Sequence, residues 1–273
     1  MADLIARIGG LWRYPVKSCA GEAVDALPLG DDGWPEGDRG WGLVDAAGEL
    51  TWMGAHPRLA LVSARATPEG LTLHTADRTV TVTAAATEGH EQTVRGWNGD
   101  RQDFDLLQAW DAGDAAADLL RAATGAPLRL VRLSQAAQRR PVLNALHLVG
   151  DGSLQAWGEA LGTPANPLAA RARPNVLLQG VDGEPLPAFI EDLLTEARVG
   201  ALTLLRTQPC VRCVMTSVDP ATGEPQPPAL EALTRLSAER APGAPVQFGI
   251  YARGTGAGVL RVGDRVDLTL NFS

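Results

Sequence analysis

The chain has 273 residues, of which 45% are hydrophobic and 21% are charged. This composition is typical of a globular protein that buries a core in one large domain or two smaller ones. Its 24 Lys+Arg against 32 Asp+Glu give a formal charge of -8, which argues against a broad surface for nucleic acid or anionic membrane, so no nucleic-acid partner is predicted.

The N-terminal sequence has no basic leader followed by a long apolar run, and no segment reaches the roughly 18 apolar residues that cross a membrane. We therefore predict a cytoplasmic protein without a membrane span. The only cysteines are Cys19, Cys210 and Cys213, an odd number that does not form a secreted disulfide framework. Three thiolates are also too few for an internal iron–sulfur cluster, so redox chemistry would need electrons from another protein.

Short runs of β-branched or alternating residues between Gly, Pro and Asp predict that the first half is mostly sheet. The predicted strands are 5–12, 42–45, 59–66, 71–75 and 79–83. A helix is predicted at 115–124, because Leu119, Leu120 and Ala123 share a face and Gly125 follows it. A further strand is predicted at 128–133.

The polar segment 134–140, followed by Pro141, is interpreted as a connector between two halves. After it we predict strands at 146–149, 175–179, 199–205, 246–252 and 259–270, and helices at 154–161, 229–239 and, more briefly, around 189–194. The predicted fold class is α+β and β-rich, with two associated β-barrel-like domains decorated by short helices, at residues 1–125 and 134–271.

The most informative segment is 207–223, TQPCVRCVMTSVDPATG. A thiolate at Cys213 suits a thiophilic or high-valent metal, and Arg212 would favour the ionised form if both side chains face one pocket. The alternative is that Cys213 is a small buried hydrophobe. A zinc half-site and a thioredoxin-like dithiol fit poorly, because the four histidines are scattered and the β-branched residues 214–218 predict a strand where a helix should begin. His147 lies in an apolar run and is interpreted as a core residue.

Three other polar groups are candidates for anion binding. Lys17 and Ser18 follow the first strand in a predicted turn, where a solvated lysine is the commoner case. Arg39 follows Asp38, and the two would ordinarily be a surface pair. In RARPN, Pro174 is expected to keep Arg173 extended, so that it and Arg171 lie on the same side of the chain before Asn175.

The ordered segments YPVKSC, GDRGWGLVD, HPRLALV, RPNVLL, CVRCVMTSVDPATGE, FGIYARG and GVLRVGD resemble the MOSC proteins. The resemblance covers nearly the whole chain, including the N-terminal β-barrel domain found in the mitochondrial amidoxime-reducing component and its bacterial relatives of the YcbX type. It implies that Cys213 is the ligand and catalytic sulfur of a molybdenum cofactor and that Cys210 is a neighbour. It further implies that Lys17, Ser18, Arg39, Arg173, Asn175 and Arg212 hold the molybdopterin and its phosphate, and Arg171 is counted with them.

The implied activity is reduction of N-hydroxylated or related N-oxygenated compounds, with electrons from a separate ferredoxin, flavodoxin or cytochrome b5 type protein. The alternative is a sulfur carrier or cofactor carrier without turnover, and a third possibility is pyridoxal phosphate bound at Lys17. Two departures from the reductases bear on the substrate. RRPVLNALHLV lacks their acidic residue, and Trp52 and Met53 in TWMGA suggest a more apolar rim.

Overall fold

The computed structural model describes residues 2–272, apart from the side chains of residues 86 and 166. Strands predominate, and the helices are short, which confirms the predicted β-rich α+β class. The strands of the first half are β1 Leu4–Arg13, β2 Glu22–Ala23, β3 Ala26–Leu29, β4 Trp41–Val44, β5 Ser63–Thr67, β6 Gly70–His74, β7 Thr79–Thr83, β8 Glu91–Asn98, β9 Asp103–Asp111 and β10 Arg129–Leu133.

The strands of the second half are β11 Leu146–Gly150, β12 Val176–Gln179, β13 Leu194–Val199, β14 Leu202–Val211, β15 Gln247–Gly254, β16 Gly258–Arg261 and β17 Arg265–Leu270. The α-helices are α1 Asp114–Thr124, α2 Gln135–Gln138, α3 Asp151–Leu161, α4 Asn166–Ala172 and α5 Pro228–Arg240. The helices predicted at 115–124, 154–161 and 229–239 are therefore confirmed. No helix of the described residues is long and apolar enough to cross a membrane.

A closed barrel of seven strands is the centre of the molecule. Its strands follow the order β12, β11, β15, β14, β13, β17 and β1, and β1 pairs again with β12 to close it. Ala6 and Ile8 alternate along β1 and are buried in the barrel core together with Leu11, which follows a register shift, and with Leu148, Ile250 and Leu268 of other strands. The first strand of the chain thus completes a barrel whose other strands all follow residue 145.

The rest of the first half forms a four-stranded sheet, β4-β10-β9-β8, and a three-stranded sheet, β5-β6-β7. Helix α1 buries Leu119 and Leu120 in the same core as Leu71 and Leu73 of β6. The division of the chain into domains at 1–125 and 134–271 stays a prediction. The predicted connector contains α2, which Ser134 caps by accepting a hydrogen bond from Ala137 N at 3.2 Å.

Two predicted strands are wrong where 3-10 turns replace them. The 3-10 helix Pro57–Leu61 replaces the first three residues of the predicted strand 59–66, because Pro57 at its first turn favours helical backbone angles and has no N–H to give to a sheet. Val214–Ser217 is also a 3-10 helix. There the β-propensity of the segment is overridden by local bonds, since the N and Oγ1 of Thr216 both donate to the Cys213 carbonyl oxygen, at 3.1 and 2.9 Å.

Two other predicted strands contain turns. The predicted strand 199–205 spans the hairpin between β13 and β14, where Gly200 has a φ of 59°. The predicted strand 259–270 is interrupted between β16 and β17, where Gly263 has a φ of 91°. The hairpin of β8 with β9 and the helix α4 were not predicted. Around 189–194 the structure has a 3-10 helix, Ile190–Leu193.

Candidate functional site

The turn that follows β1 carries Lys17 and Ser18, as predicted. Its backbone is held by Lys17 N, which donates to the Trp41 carbonyl oxygen at 3.1 Å. Ser18 has a φ of 73°, which is uncommon for a residue other than glycine, and its side chain is buried. Its Oγ has no hydrogen-bond partner among the described residues. A buried hydroxyl without a partner is costly, so this atom is available to a ligand.

Asp38 is buried and pairs with the half-buried Arg39, so the interpretation of them as a surface pair is wrong. Asp38 is 4% exposed, and its Oδ1 accepts hydrogen bonds from Tyr14 N at 2.6 Å and from Asn175 Nδ2 at 3.2 Å. Its other carboxylate oxygen pairs with the Arg39 guanidinium. The tertiary structure brings the end of β1 and the start of β12 against this carboxylate and so removes it from water. The adjacency of Asp38 and Arg39 in the sequence did not indicate this burial.

Arg173 ends helix α4 in the left-handed conformation, with φ of 58° and ψ of 51°. The prediction that Pro174 keeps it extended is wrong, because Arg173 N caps the helix by donating to the Ala169 carbonyl oxygen at 2.8 Å. Its guanidinium lies over the Tyr14 ring, 4.3 Å from the centroid, and no described carboxylate pairs with it. Burial lowers the pKa of Arg173, and the neighbouring positive charge of Arg39 acts in the same direction.

Tyr14 is the neutral surface on which these cations lie. Burial raises its pKa to about 12, and its hydroxyl donates to the Pro174 carbonyl oxygen at 3.1 Å. Arg39 also lies over this ring, at 5.5 Å. Cation–π contacts stabilise both guanidinium groups, of which Arg39 is paired with Asp38 and Arg173 has no carboxylate partner among the described residues. Tyr14 was not singled out from the sequence, although it opens the YPVKSC segment.

Arg171 and Asn175 have different surroundings from Arg173. The Arg171 guanidinium donates to the Ser217 carbonyl oxygen at 3.1 Å and to Asp219 Oδ2 at 2.8 Å, and it also contacts Gln226. Arg171 therefore fixes the loop that follows Cys213, and it does not lie parallel to Arg173. A role of Arg171 in cofactor binding stays a prediction.

The Asn175 side chain is fully buried and joins three parts of the barrel. Its Oδ1 accepts from His147 N at 3.1 Å, and its Nδ2 donates to the Trp12 carbonyl oxygen at 3.1 Å and to Asp38. All of these hydrogen bonds join the Asn175 side chain to other groups of the protein. Asn175 therefore positions Asp38 and the start of β12, and direct contact with a cofactor stays a prediction.

The two cysteines of the motif lie in opposite environments. Cys210 is completely buried on β14, whereas Cys213, beyond the end of that strand, is exposed. Arg212 directly follows the last residue of β14, and its Nη1 donates to Cys210 Sγ at 3.0 Å. Arg212 Nη2 donates to the Ala172 carbonyl oxygen at 2.7 Å, and its buried Nε has no partner among the described residues. The thiol that Arg212 contacts is thus Cys210, while Cys213 is accessible to a ligand.

Apolar packing holds the 3-10 turn that begins at Cys213. Met53 is 3% exposed and packs with Ala60 and Val218, and Met215 lies against this cluster. Trp52 is 36% exposed, and the expectation that it and Met53 form an apolar rim stays a prediction. Met53 anchors the cysteine loop to the first half of the chain.

Lys17 links this loop electrostatically to the other cations. Burial, and next the charge of Arg140, lower its pKa to about 8, while Cys213 acts to raise it. Arg140 itself pairs with Asp105 at 3.2 Å, and no sequence pattern indicated its effect on Lys17. The side chain of Lys17 has no ion pair among the described residues. An anion at this position would stabilise the protonated amine and relieve repulsion between the cations.

A small cavity of about 120 Å³ opens between the two halves of the chain beside these groups. Its lining includes Tyr14 and Arg173 on one side and the sulfur-containing side chains Met53 and Met215 on the other. The cavity is below the ~300 Å³ at which small-molecule pockets usually begin, so it holds only part of a ligand. One wall of the cavity is therefore cationic and the opposite wall is apolar.

Two family models match the chain, one described as a MOSC domain at residues 139–267 and the other as a MOSC N-terminal beta barrel domain at residues 5–127. The chain belongs to the MOSC family. The match confirms the resemblance seen in the ordered motifs.

Curated MOSC relatives include two kinds of protein. Mitochondrial amidoxime-reducing component 1 of Homo sapiens is 27% identical over 244 residues, which cover 80% of this chain and 68% of that protein. Molybdenum cofactor sulfurase of Drosophila grimshawi is 28% identical over 254 residues, which cover 87% of this chain but only 31% of that protein. The crystal structure of the YUAD protein from Bacillus subtilis has a TM-score of 0.50 at 13% identity, covering 99% of this chain and 100% of that one, and supports the fold alone.

Proposed function

We propose that this MOSC protein binds a molybdenum cofactor, with Cys213 as the sulfur ligand of the metal, and reduces N-hydroxylated or related N-oxygenated compounds. The observation that carries the proposal is an exposed thiol at Cys213 within electrostatic range of Lys17, which, like Arg173, has no carboxylate partner among the described residues of a chain with net charge -8. Buried or half-buried charges are normally paired, so an unpaired cationic cluster indicates an anionic ligand.

The donor groups fit such a cofactor. Among the described residues there is no group of three or more His, Cys, Asp and Glu that would hold a bare metal ion. A metal at Cys213 would therefore take its other ligands from the cofactor. Ser18 Oγ and Arg212 Nε are buried atoms without protein partners, and a phosphate or pterin would satisfy both.

Distinct roles follow for the residues of the cluster. Lys17, Ser18, Arg39, Arg173 and Arg212 would hold the molybdopterin and its phosphate. Arg171 and Asn175 would act mainly through the cysteine loop and Asp38, to which they are bonded. The cofactor, when bound, supplies a metal centre that transfers an oxygen atom together with two electrons.

Reductive cleavage of an N–O bond to amine and water consumes two electrons and two protons. Lys17 Nζ is a suitable proton donor because its pKa is lowered to about 8, close to neutrality, and because it lies within electrostatic range of Cys213. It offers a replacement for the acidic residue that the segment before β11 lacks. With only three cysteines in the sequence, we propose a separate ferredoxin, flavodoxin or cytochrome b5 type protein as electron donor.

The test is metal and pterin analysis of protein purified from cells with an intact cofactor pathway, together with a reductase assay on a benzamidoxime. Wild type and the Cys19→Ala variant, which alters a buried thiol, should contain molybdenum and pterin and should turn over. Cys213→Ala should lose bound molybdenum and activity. Retention of both in Cys213→Ala would refute the proposal.

A second function, a sulfur carrier, is favoured by the exposure of the Cys213 thiol and by the similarity to molybdenum cofactor sulfurases. It predicts an additional sulfur atom on Cys213 in intact-mass spectra and no bound pterin. Pyridoxal phosphate at Lys17 would instead give an imine that borohydride traps, and the matched family models lend it no support. The cytoplasmic location stays a prediction.

A further inference from the structure

Behind the exposed Cys213 lies a buried polar cluster to which the proposed function assigns no role. Its members are Cys210 on β14, His147 on β11 and Tyr251 on β15, the strand between them in the barrel. His147 and Tyr251 are cross-strand partners whose rings are 5.7 Å apart. Cys210 is 0% exposed and His147 is 2% exposed.

Both ring nitrogens of His147 are placed against hydrogen-bond acceptors. Nδ1 lies 3.2 Å from the Arg173 carbonyl oxygen, and Nε2 lies 3.1 Å from the Phe248 carbonyl oxygen. Carbonyl oxygens only accept, whereas a neutral imidazole has one nitrogen that must also accept. The doubly protonated imidazolium is the form that satisfies both contacts.

The backbone around His147 is shaped for this arrangement. Gly249, which follows Phe248, has a φ of 73°, and a Cβ there would lie 2.6 Å from His147 Nε2 and 2.5 Å from the Leu148 carbonyl oxygen. A residue with a side chain would displace the ring or the strand. The glycine therefore lets β15 approach His147 closely enough for the Phe248 carbonyl oxygen to accept a hydrogen bond from Nε2.

Comparison of the two buried thiols shows the effect of these charges. Burial raises the pKa of Cys19 to about 12. Burial acts on Cys210 in the same direction, but the charges of His147 and then Arg212 lower the pKa of Cys210 to about 6. The 3.0 Å hydrogen bond from Arg212 Nη1 to Cys210 Sγ gives a structural reason why the pKa of Cys210 is lower than that of Cys19.

We propose that Cys210 is a buried thiolate held between the His147 imidazolium and the Arg212 guanidinium, and that it is a positioning residue which fixes Arg212 beside Cys213. Tyr251 faces the same sulfur from β15 and stays neutral, because burial and next the charge of Cys210 raise its pKa. The ion pair belongs to the protein alone, so it stands or falls independently of whether the chain binds molybdenum.

The direct test uses apo-protein with the exposed thiol removed by Cys213→Ser, so that only Cys19 and Cys210 remain. At neutral pH, infrared difference spectra should show one S–H stretching band, which the additional Cys19→Ser substitution removes. Ultraviolet absorbance should show one thiolate that disappears with a midpoint near pH 6. Two S–H bands and no thiolate would overturn the proposal.

His147→Gln tests the source of the effect, with Tyr251→Phe as the matched control from the other side of the sulfur. Loss of the imidazolium should raise the thiolate midpoint by roughly 1–3 pH units, whereas Tyr251→Phe, which removes one hydrogen bond and no charge, should raise it by less. In wild-type protein the Arg212 side-chain nitrogen resonances should shift with the same midpoint as Cys210, and in Cys210→Ser they should not titrate. A purely packing role for Cys210 predicts no such titration.

A stability measurement keeps the proposal testable if His147→Gln does not fold. A thiol whose pKa is lowered by folding stabilises the protein above its unfolded pKa, and this contribution is lost as pH falls toward 6. The stability difference between wild type and Cys210→Ser should therefore shrink from pH 9 to pH 6. A difference that is constant over this range would contradict a buried thiolate.

Discussion

Replacement of Asp38 by asparagine tests whether the carboxylate at the centre of the site holds the surrounding residues in place. Asparagine keeps an oxygen that can accept from Tyr14 N, but it removes the charge that pairs with Arg39 and leaves that guanidinium beside an amide. The side chain of Asp38 is 2% exposed and that of Arg39 is 28% exposed, so the loss is that of a mostly buried pair.

Removing one partner of a fully buried ion pair costs about 3–5 kcal/mol. Since Arg39 retains access to water and the new asparagine would preserve one hydrogen bond, we expect Asp38→Asn to lower the free energy of unfolding by about 2–3 kcal/mol. Urea denaturation followed by far-ultraviolet circular dichroism measures this quantity. The matched control is Asp267→Asn, whose carboxylate pairs with the exposed Arg198 and Arg265 and should cost less than about 1 kcal/mol. Equal losses in the two variants would refute the argument that burial gives Asp38 its importance.

Three further outcomes are expected. Because burial lowers the pKa of Lys17 to about 8, the amine loses its charge as pH rises through 8, and sulfate, whose charge is constant in this range, should then bind more weakly. In calorimetric titrations Lys17→Arg should abolish this pH dependence, and a pH dependence that is the same in the variant would exclude Lys17 from the anion site. Burial raises the pKa of Glu191, so ionisation of this carboxyl should lower the stability of the protein as pH rises above about 4.3. The stability of Glu191→Gln relative to wild type should therefore increase between pH 4 and pH 7, and a stability difference that is constant over this range would contradict the argument. A Cβ at Gly152 would lie 1.8 Å from the Leu186 carbonyl oxygen, whereas a Cβ at Gly99 would meet no atom within 4 Å. Calorimetry should therefore show that Gly152→Ala lowers the melting temperature sharply and that Gly99→Ala does not.

The site residues Lys17, Ser18, Arg39 and Arg173 could be named from the sequence because each lies in a short ordered motif. Their conformations could not be. Ser18, Arg39 and Arg173 all have positive φ values, of 73°, 51° and 58°. Such backbone angles carry a cost for residues with side chains, and they occur here where tertiary contacts, such as the cap that Arg173 makes, select them.

The sequence by itself determined the family, the β-rich composition and the amphipathic helices such as α1, because motifs and periodic patterns are local properties of the chain. Only the tertiary structure decided that β1 closes a barrel made otherwise of strands after residue 145, and that Asp38 lies between Tyr14 and Asn175. It also decided that Arg212 contacts Cys210 and leaves Cys213 exposed. These outcomes depend on which distant segments share a surface, and burial then sets the charge state and the partners of each side chain in ways that no local pattern records.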